Sequence, residues 1–92
     1  MNLKRDRLSI MHDMLSVIRS RGGKIKPTHI MYKANLSHQM LTEYLAELIE
    51  KQFIEEKKDA HGKRTYALTD KGFNFLKDYG VIKGFMDSYG LE

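Results

Sequence analysis

Four polar residues near the middle of the chain have side chains that can hydrogen bond to a ligand: Ser37, His38, Gln39 and Thr42. The glutamine carboxamide combines an acceptor with donors, which matches N6 and N7 of adenine, and hydroxyl groups can bond to several base edges. Ser37 also suits the N-cap of a helix, a role that needs no ligand, and His38 could either contact a phosphate or pack on Tyr32. The residue types therefore predict recognition by hydrogen bonding.

A second group of candidate residues is cationic and surrounds a polar loop. It comprises Lys57, Lys58, His61, Lys63 and Arg64. Lysine and arginine bond to phosphate oxygens, and each neutralised phosphate releases counterions. An earlier stretch without acids, residues 21–33, adds three further candidates: Lys26, Thr28 and Lys33. Both groups predict a surface for a polyanion, although a charged loop is often only solvent-facing.

A helix over about residues 37–51 would position the first group. Ser37 can cap its first turn, and Leu36 can pack on Leu41 as a hydrophobic staple. Apolar residues then recur in pairs four apart, which makes one buried stripe: Met40, Leu41, Tyr44, Leu45, Leu48 and Ile49. The opposite side, centred on Gln39 and Glu43, is left to face solvent or a ligand. Glu43 could accept a hydrogen bond from cytosine N4 or be an ordinary solvated charge.

The other apolar patterns predict three more helices and a hairpin. The predicted elements are helix 3–20, edge strand 24–26, helix 27–33, helix 37–51, strand 52–57, strand 64–68 and helix 70–79. Asn35 tolerates a left-handed turn before the third helix, Gly62 does so in the hairpin loop, and Thr69 can cap the fourth helix. Three glycines predict that residues 80–92 form only a short or kinked helix. Four aromatic residues are expected in the core: Tyr44, Phe53, Phe73 and Phe75.

Residues 30–37, followed at the right distance by Thr42 and Tyr44, resemble the archaeal winged helix-turn-helix DNA-binding proteins. Residues 66–72 resemble a segment that many winged-helix families share, which identifies the fold and not the subgroup. The likeness points in particular to the ten-kilodalton group, in which a winged helix precedes a C-terminal dimerisation helix. It implies an α+β, mainly α, fold with a three-helix core, a β-hairpin with a basic wing at about residues 57–64, and a C-terminal helix. It also implies binding to double-stranded DNA as a homodimer.

One difference from that group affects the expected affinity. Its members often carry Arg or Lys on the exposed face of the recognition helix, where this chain has Glu43 and Ala46. Acidic and apolar side chains do not attract phosphates, so we expect weaker non-specific binding through this helix. The wing should then contribute more of the affinity.

Composition limits the remaining choices. With 92 residues, 41% of them hydrophobic and 30% charged, we expect one winged-helix domain over residues 1–79 and a tail over residues 80–92 as a candidate dimerisation segment. The net charge of +4 favours a polyanionic partner only weakly. No cysteine, no histidine pair four residues apart and no nucleotide or catalytic motif is present, so we expect no metal, cofactor, small-molecule ligand or enzymatic activity. No apolar run approaches the roughly 20 residues of a membrane span, so we expect a cytoplasmic, nucleoid-associated protein.

The combined expectation is a transcriptional regulator that binds DNA as a homodimer, with residues 37–51 in the major groove and the wing on the backbone. Two alternatives stay open. An acidic third helix suits a module that joins an assembly through protein contacts, and duplex binding without preference would indicate a chromatin protein. The apolar residues Phe85, Met86 and Tyr89 either fold back on the first helix or meet a second subunit, and we expect the dimer interface there.

Overall fold

The computed structural model describes residues 6–91 and has a mainly helical α+β architecture. Its elements are α1 (Arg7–Ser20), α2 (Pro27–Lys33), α3 (His38–Glu50), β1 (Ile54–Lys58), β2 (Arg64–Leu68) and α4 (Asp70–Tyr89). The predicted fold class and element order are confirmed. Among these residues, every helix is too short or too polar to span a bilayer.

Side-chain caps determine where three of the helices begin. Ser37 Oγ accepts a hydrogen bond from the Met40 N–H at 3.1 Å, and Thr69 Oγ1 accepts one from the Gly72 N–H at 3.1 Å, as predicted. Asp6 caps α1 in the same way, accepting from the Ser9 N–H at 2.7 Å. The first helix therefore begins at residue 7. The predicted start near residue 3 lies outside the described residues.

The turns agree with the predictions except at the start of the hairpin. Asn35 (φ 56°) and Gly62 (φ 75°) both adopt the left-handed conformation. Gln52 also does so, with φ 63°, and this was not predicted. The turn at Gln52 delays β1, which therefore begins at Ile54 and pairs in antiparallel register with Leu68. The predicted edge strand is reduced to a single bridge, in which the Tyr66 N–H donates to the Ile25 carbonyl at 3.2 Å.

The core lies between α1, α2, α3 and the inner face of the hairpin. Its most deeply buried side chains are Met14, Leu15, Ile18, Ile25, Ile30, Leu48 and Ile54. The predicted stripe of α3 is confirmed at Leu41, Leu45 and Leu48, and Met40 and Tyr44 pack partly buried at its margin. Ile49 is exposed, so its expected place in the buried stripe is wrong. Phe73 is 49% exposed, so its expected core position is wrong. The buried side of α4 is centred on Gly72 and Leu76, and Phe73 points away from it.

The fourth helix is longer than predicted. It continues without interruption to Tyr89 and ends at Gly90, whose φ of 66° forms a left-handed C-cap. Gly80 and Gly84 lie in open space, and a glycine costs a helix only about 1 kcal/mol, which is not enough to end one. Phe85 and Tyr89 are 58% and 69% exposed, so they do not fold back on α1, whereas Met86 lines a surface depression together with Leu8 and Ser9 of α1. Contact with a second subunit remains a prediction.

Candidate nucleic-acid interface

All twelve residues predicted to contact DNA are exposed. They belong to three segments, α2 with its N-cap, the first turns of α3 and the hairpin end: Lys26, Thr28, Lys33, Ser37, His38, Gln39, Thr42, Lys57, Lys58, His61, Lys63 and Arg64. Exposure is a requirement for contact with a macromolecule, and every member of the set meets it. Which of them touch DNA stays a prediction.

The leading turns of α3, residues 37–43, already have internal hydrogen bonds. The Thr42 hydroxyl donates to the His38 carbonyl at 3.1 Å, so its oxygen is left to accept from a ligand. Ser37 Oγ accepts from the backbone as a cap, so its hydrogen remains available for donation. The Gln39 carboxamide nitrogen donates to Glu43 Oε1 at 3.1 Å. These bonds reduce the hydrogen-bonding choices that the turn offers to a base.

The tip of the wing is held by a network around Asp59. The carboxylate accepts from the His61 N–H at 2.8 Å and the Lys63 N–H at 3.0 Å, and the Asp59 N–H donates to the Lys63 carbonyl at 2.8 Å. The two backbone donors lower the pKa of Asp59 below its ordinary 3.8, and the charges of Lys26 and Lys63 lower it further. Asp59 is therefore an anion at neutral pH that orders the loop and offsets one positive charge.

The cations of the hairpin differ in how they are paired. Lys57 lies 3.4 Å from Glu55, and the Arg64 guanidinium lies 3.8 Å from Glu56. Glu56 also accepts from the Tyr66 hydroxyl at 3.1 Å, and burial together with this bond raises the pKa of Tyr66. In contrast, four predicted contact lysines have no salt-bridge partner within residues 6–91: Lys26, Lys33, Lys58 and Lys63. The lysines without salt-bridge partners are therefore more available to bind phosphates than Lys57 and Arg64.

A shallow groove of about 570 Å³ brings the two basic segments together. Lys24 and Lys26 line one side, and Lys57 and Lys58 line the other. Gly23 permits this approach, because a Cβ at that position would lie 2.9 Å from the Ala67 Cβ. Lys24 was not among the predicted contact residues. Its place follows from the bridge between Ile25 and Tyr66, a long-range pairing that sequence spacing does not reveal.

Two exposed residues of α2 were also missing from the predicted site. Tyr32 is 76% exposed, and His29 is exposed beside it. Together with Thr28 and Lys33 they form the outer face of the helix, opposite the buried Ile30. Their spacing of three and four residues is a helical pattern that could have identified this face from the sequence.

The other features of the surface do not extend this site. Within residues 6–91, no group of three histidine or acidic side chains could hold a metal ion. An apolar cleft of about 310 Å³ lies elsewhere, between the start of α1 and the side of α4, and is lined by Leu8, Phe53, Phe75 and Tyr79 among others. None of the twelve predicted contact residues lines it. The expectation of no small-molecule ligand stays a prediction.

Similarity to known sequences agrees with the architecture. A family model for the winged helix-turn-helix matches residues 4–86. The uncharacterized protein MJ0290 of Methanocaldococcus jannaschii is 34% identical over 71 residues, which are 77% of this chain and 30% of that protein. The chain thus spans less than a third of the length of this relative.

Solved structures share the fold. Sso10a-2, a DNA-binding protein from Sulfolobus solfataricus, is similar with a TM-score of 0.78 and 23% identity, over 94% of this chain and 87% of that one. The PcaV transcriptional regulator from Streptomyces coelicolor has a TM-score of 0.80 and 20% identity, over 90% and 60% of the two chains. MepR, a transcription regulator of the Staphylococcus aureus efflux pump MepA, has a TM-score of 0.76 and 17% identity, over 87% and 60%. On its match to the family model, this chain belongs to the winged helix-turn-helix family.

Proposed function

We propose that this protein binds double-stranded DNA as a homodimeric transcriptional regulator. Residues 37–51 would enter the major groove, and the wing at residues 57–64 would lie on the backbone. The observation that supports this most is the exposed polar leading turn of α3, on a helix whose opposite side is buried. The named relatives that are DNA-binding proteins and regulators support the same function.

The packing of α3 suits insertion into a groove. Leu41, Leu45 and Leu48 attach one side of the helix to the core, while His38, Gln39 and Thr42 stand on the outside. A helix held in this way loses little further freedom on binding, so its polar contacts contribute more of their energy to affinity. Gln39 would read a base edge, and His38 and Thr42 would contact bases or phosphates beside it.

The charge distribution supports contact with phosphates beside that helix. The wing carries Lys58 and Lys63 without salt-bridge partners among the described residues, and the basic groove adds Lys24 and Lys26. Each lysine that neutralises a phosphate releases counterions, which favours binding at low salt. A protein using these four lysines would bind duplex DNA with a strong salt dependence.

The second half of α4 supports a dimer. Ile82, Phe85 and Tyr89 are more than half exposed and are spaced three and four residues apart, as in the apolar seam of paired helices. The rings of Phe85 and Tyr89 pack on one another with centroids 4.9 Å apart, which forms a continuous apolar surface. A second copy would cover this surface and, by two-fold symmetry, present two α3 helices to successive turns of one DNA face.

Selection of bound duplexes from a random pool, at two salt concentrations, tests the proposal. We expect enrichment of a palindromic site and a marked loss of binding at the higher salt, with sedimentation showing a dimer at micromolar concentrations. Binding without sequence preference would instead indicate a sequence-neutral chromatin protein. If no duplex is retarded at any salt, DNA binding is excluded.

One observation favours a second candidate function. The exposed side of α3 carries Glu43 and Glu50, and these charges would repel phosphates. An acidic helix of this kind suits a basic protein surface, so the domain could join a larger assembly without touching DNA. The absence of duplex binding together with retention of a dimer would favour this function.

A further inference from the structure

We propose that Glu43 orients the Gln39 carboxamide so that α3 selects adenine over guanine at one position of each half-site. Glu43 would act as a positioning residue, and Gln39 would make the base contact. The inference rests on the proposed function, because it requires that the leading turns of α3 enter the major groove. It goes further in naming the base and the residue that determines the choice.

The geometry of the pair exists without DNA. Gln39 and Glu43 are four residues apart on α3, both are exposed, and the carboxamide nitrogen lies 3.1 Å from Glu43 Oε1. An ionised carboxylate can only accept hydrogen bonds, so the group that faces it must be the NH₂ and not the oxygen. One of the two N–H bonds is thereby used, and the carboxamide offers the remaining N–H together with its carbonyl oxygen.

This remaining pair of groups matches adenine and does not match guanine. Adenine presents the N6 donor and the N7 acceptor in the major groove, which the carbonyl oxygen and one N–H satisfy together. Guanine presents two acceptors, O6 and N7, which need two donors. A free glutamine could direct both of its N–H bonds to guanine, whereas one held by Glu43 has only one to give. The carboxylate therefore excludes guanine by occupying a donor.

The surroundings leave Glu43 available for this role. The nearest cation in the same surface depression is Arg7, and its guanidinium pairs with Glu47. Glu43 also places a negative charge at the leading turns of α3, where it weakens attraction to any phosphate backbone. Removing the carboxylate should thus raise affinity for all DNA while reducing the distinction between bases.

The test compares Kd values for duplexes that carry A·T or G·C at the position read by Gln39. To identify that position, the base preferences of the parent protein and of Gln39→Ala are compared along a selected site. The position read by Gln39 is the one at which the variant no longer shows the parent's base preference. We expect the parent protein to prefer adenine by about 5- to 150-fold, the usual range for a bidentate contact. Glu43→Ala and Glu43→Gln should reduce the preference several-fold and bind random duplex more tightly. Glu50→Gln, a matched loss of one exposed charge at the far end of α3, should tighten binding without changing the preference.

Each other outcome has a defined meaning. If Gln39→Ala loses the preference and both Glu43 variants retain it, Gln39 reads the base unaided and the inference is wrong. If the Glu43 variants lose discrimination at a neighbouring cytosine only, Glu43 contacts a base itself, and the inference is again wrong. Sequence-neutral binding by the parent protein would overturn the inference and leave DNA binding intact. Absence of any duplex binding would overturn the proposed function first.

Discussion

The unpaired lysines of the wing allow a quantitative test of backbone contact. The double variant Lys58→Ala/Lys63→Ala removes two cations that have no salt-bridge partner within residues 6–91. Lys57 and Arg64 stay in place with their partners Glu55 and Glu56. Both substituted side chains are exposed, so the fold should be unaffected and the change should appear in DNA binding alone.

The expected magnitude follows from counterion release. Each phosphate neutralised on duplex DNA contributes about 0.9 to the slope of log K against log salt concentration, so losing two contacts reduces the slope by about 1.8. Between about 50 and 200 mM salt, this difference corresponds to a roughly 12-fold change in the ratio of parent to variant affinity. The parent protein should therefore bind much more tightly at low salt, and its advantage should shrink as salt rises.

The assay is a fluorescence-anisotropy titration of a labelled duplex at four or more salt concentrations. The matched control is Arg19→Ala/Lys77→Ala, which removes two exposed cations from α1 and α4 that have no salt-bridge partner within residues 6–91, and leaves the wing unchanged. We expect the control to keep the slope of the parent protein. If both double variants lower the slope equally, binding depends on net charge, and the assignment of phosphate contacts to the wing is refuted.

Four further predictions concern the packing of α4, the tip of the wing and the dimer. Gly72→Ala should lower the free energy of unfolding, measured in urea, by about 1–3 kcal/mol, because the alanine Cβ would overlap the Phe53 carbonyl. This loss should exceed the gain from the higher helix propensity of alanine. An unchanged or higher stability would contradict the close packing. Asp59→Asn keeps an acceptor for the tip and removes a negative charge, so it should bind DNA more tightly, whereas Asp59→Ala should bind more weakly than Asp59→Asn. Because the pKa of Asp59 is lowered in the fold, the stabilisation of the tip is complete above pH 3.8 and is lost as the pH falls through the depressed value, which amide exchange at the tip can follow. Phe85→Ser/Tyr89→Ser should sediment as a monomer, and a dimer of unchanged affinity would exclude this face as the interface.

Several parts of the fold were predictable because their causes lie within a few residues. Ser37 and Thr69 cap helices through backbone groups three residues away, and Asn35 adopts the left-handed turn that its side chain tolerates. The buried stripe of α3 follows directly from a period of 3.6 residues. These features set the element order, and the order together with the resemblance identifies the winged helix from the sequence.

Other parts of the fold depended on competing interactions that local sequence patterns do not reveal. The glycines at 80 and 84 predicted a break in α4, yet the helix continues, because two modest propensity penalties do not outweigh an uninterrupted hydrogen-bond ladder. Phe73 was expected in the core, but Gly72 and Leu76 occupy the side of α4 that faces the core. Strand β1 started later than predicted because of the turn at Gln52, whose residue type gives only a weak signal for a positive φ.

The sequence by itself determined the fold class, the starts of α2, α3 and α4, and the hairpin, and it predicted which residues are available for recognition. The tertiary structure decided how remote residues are paired: Arg64 with Glu56, and Lys24 and Lys26 beside Lys57 and Lys58. The physical reason is distance along the chain. Caps and stripes arise from neighbours within one or two helical turns, whereas the basic groove exists only because a bridge between Ile25 and Tyr66 brings two remote segments together.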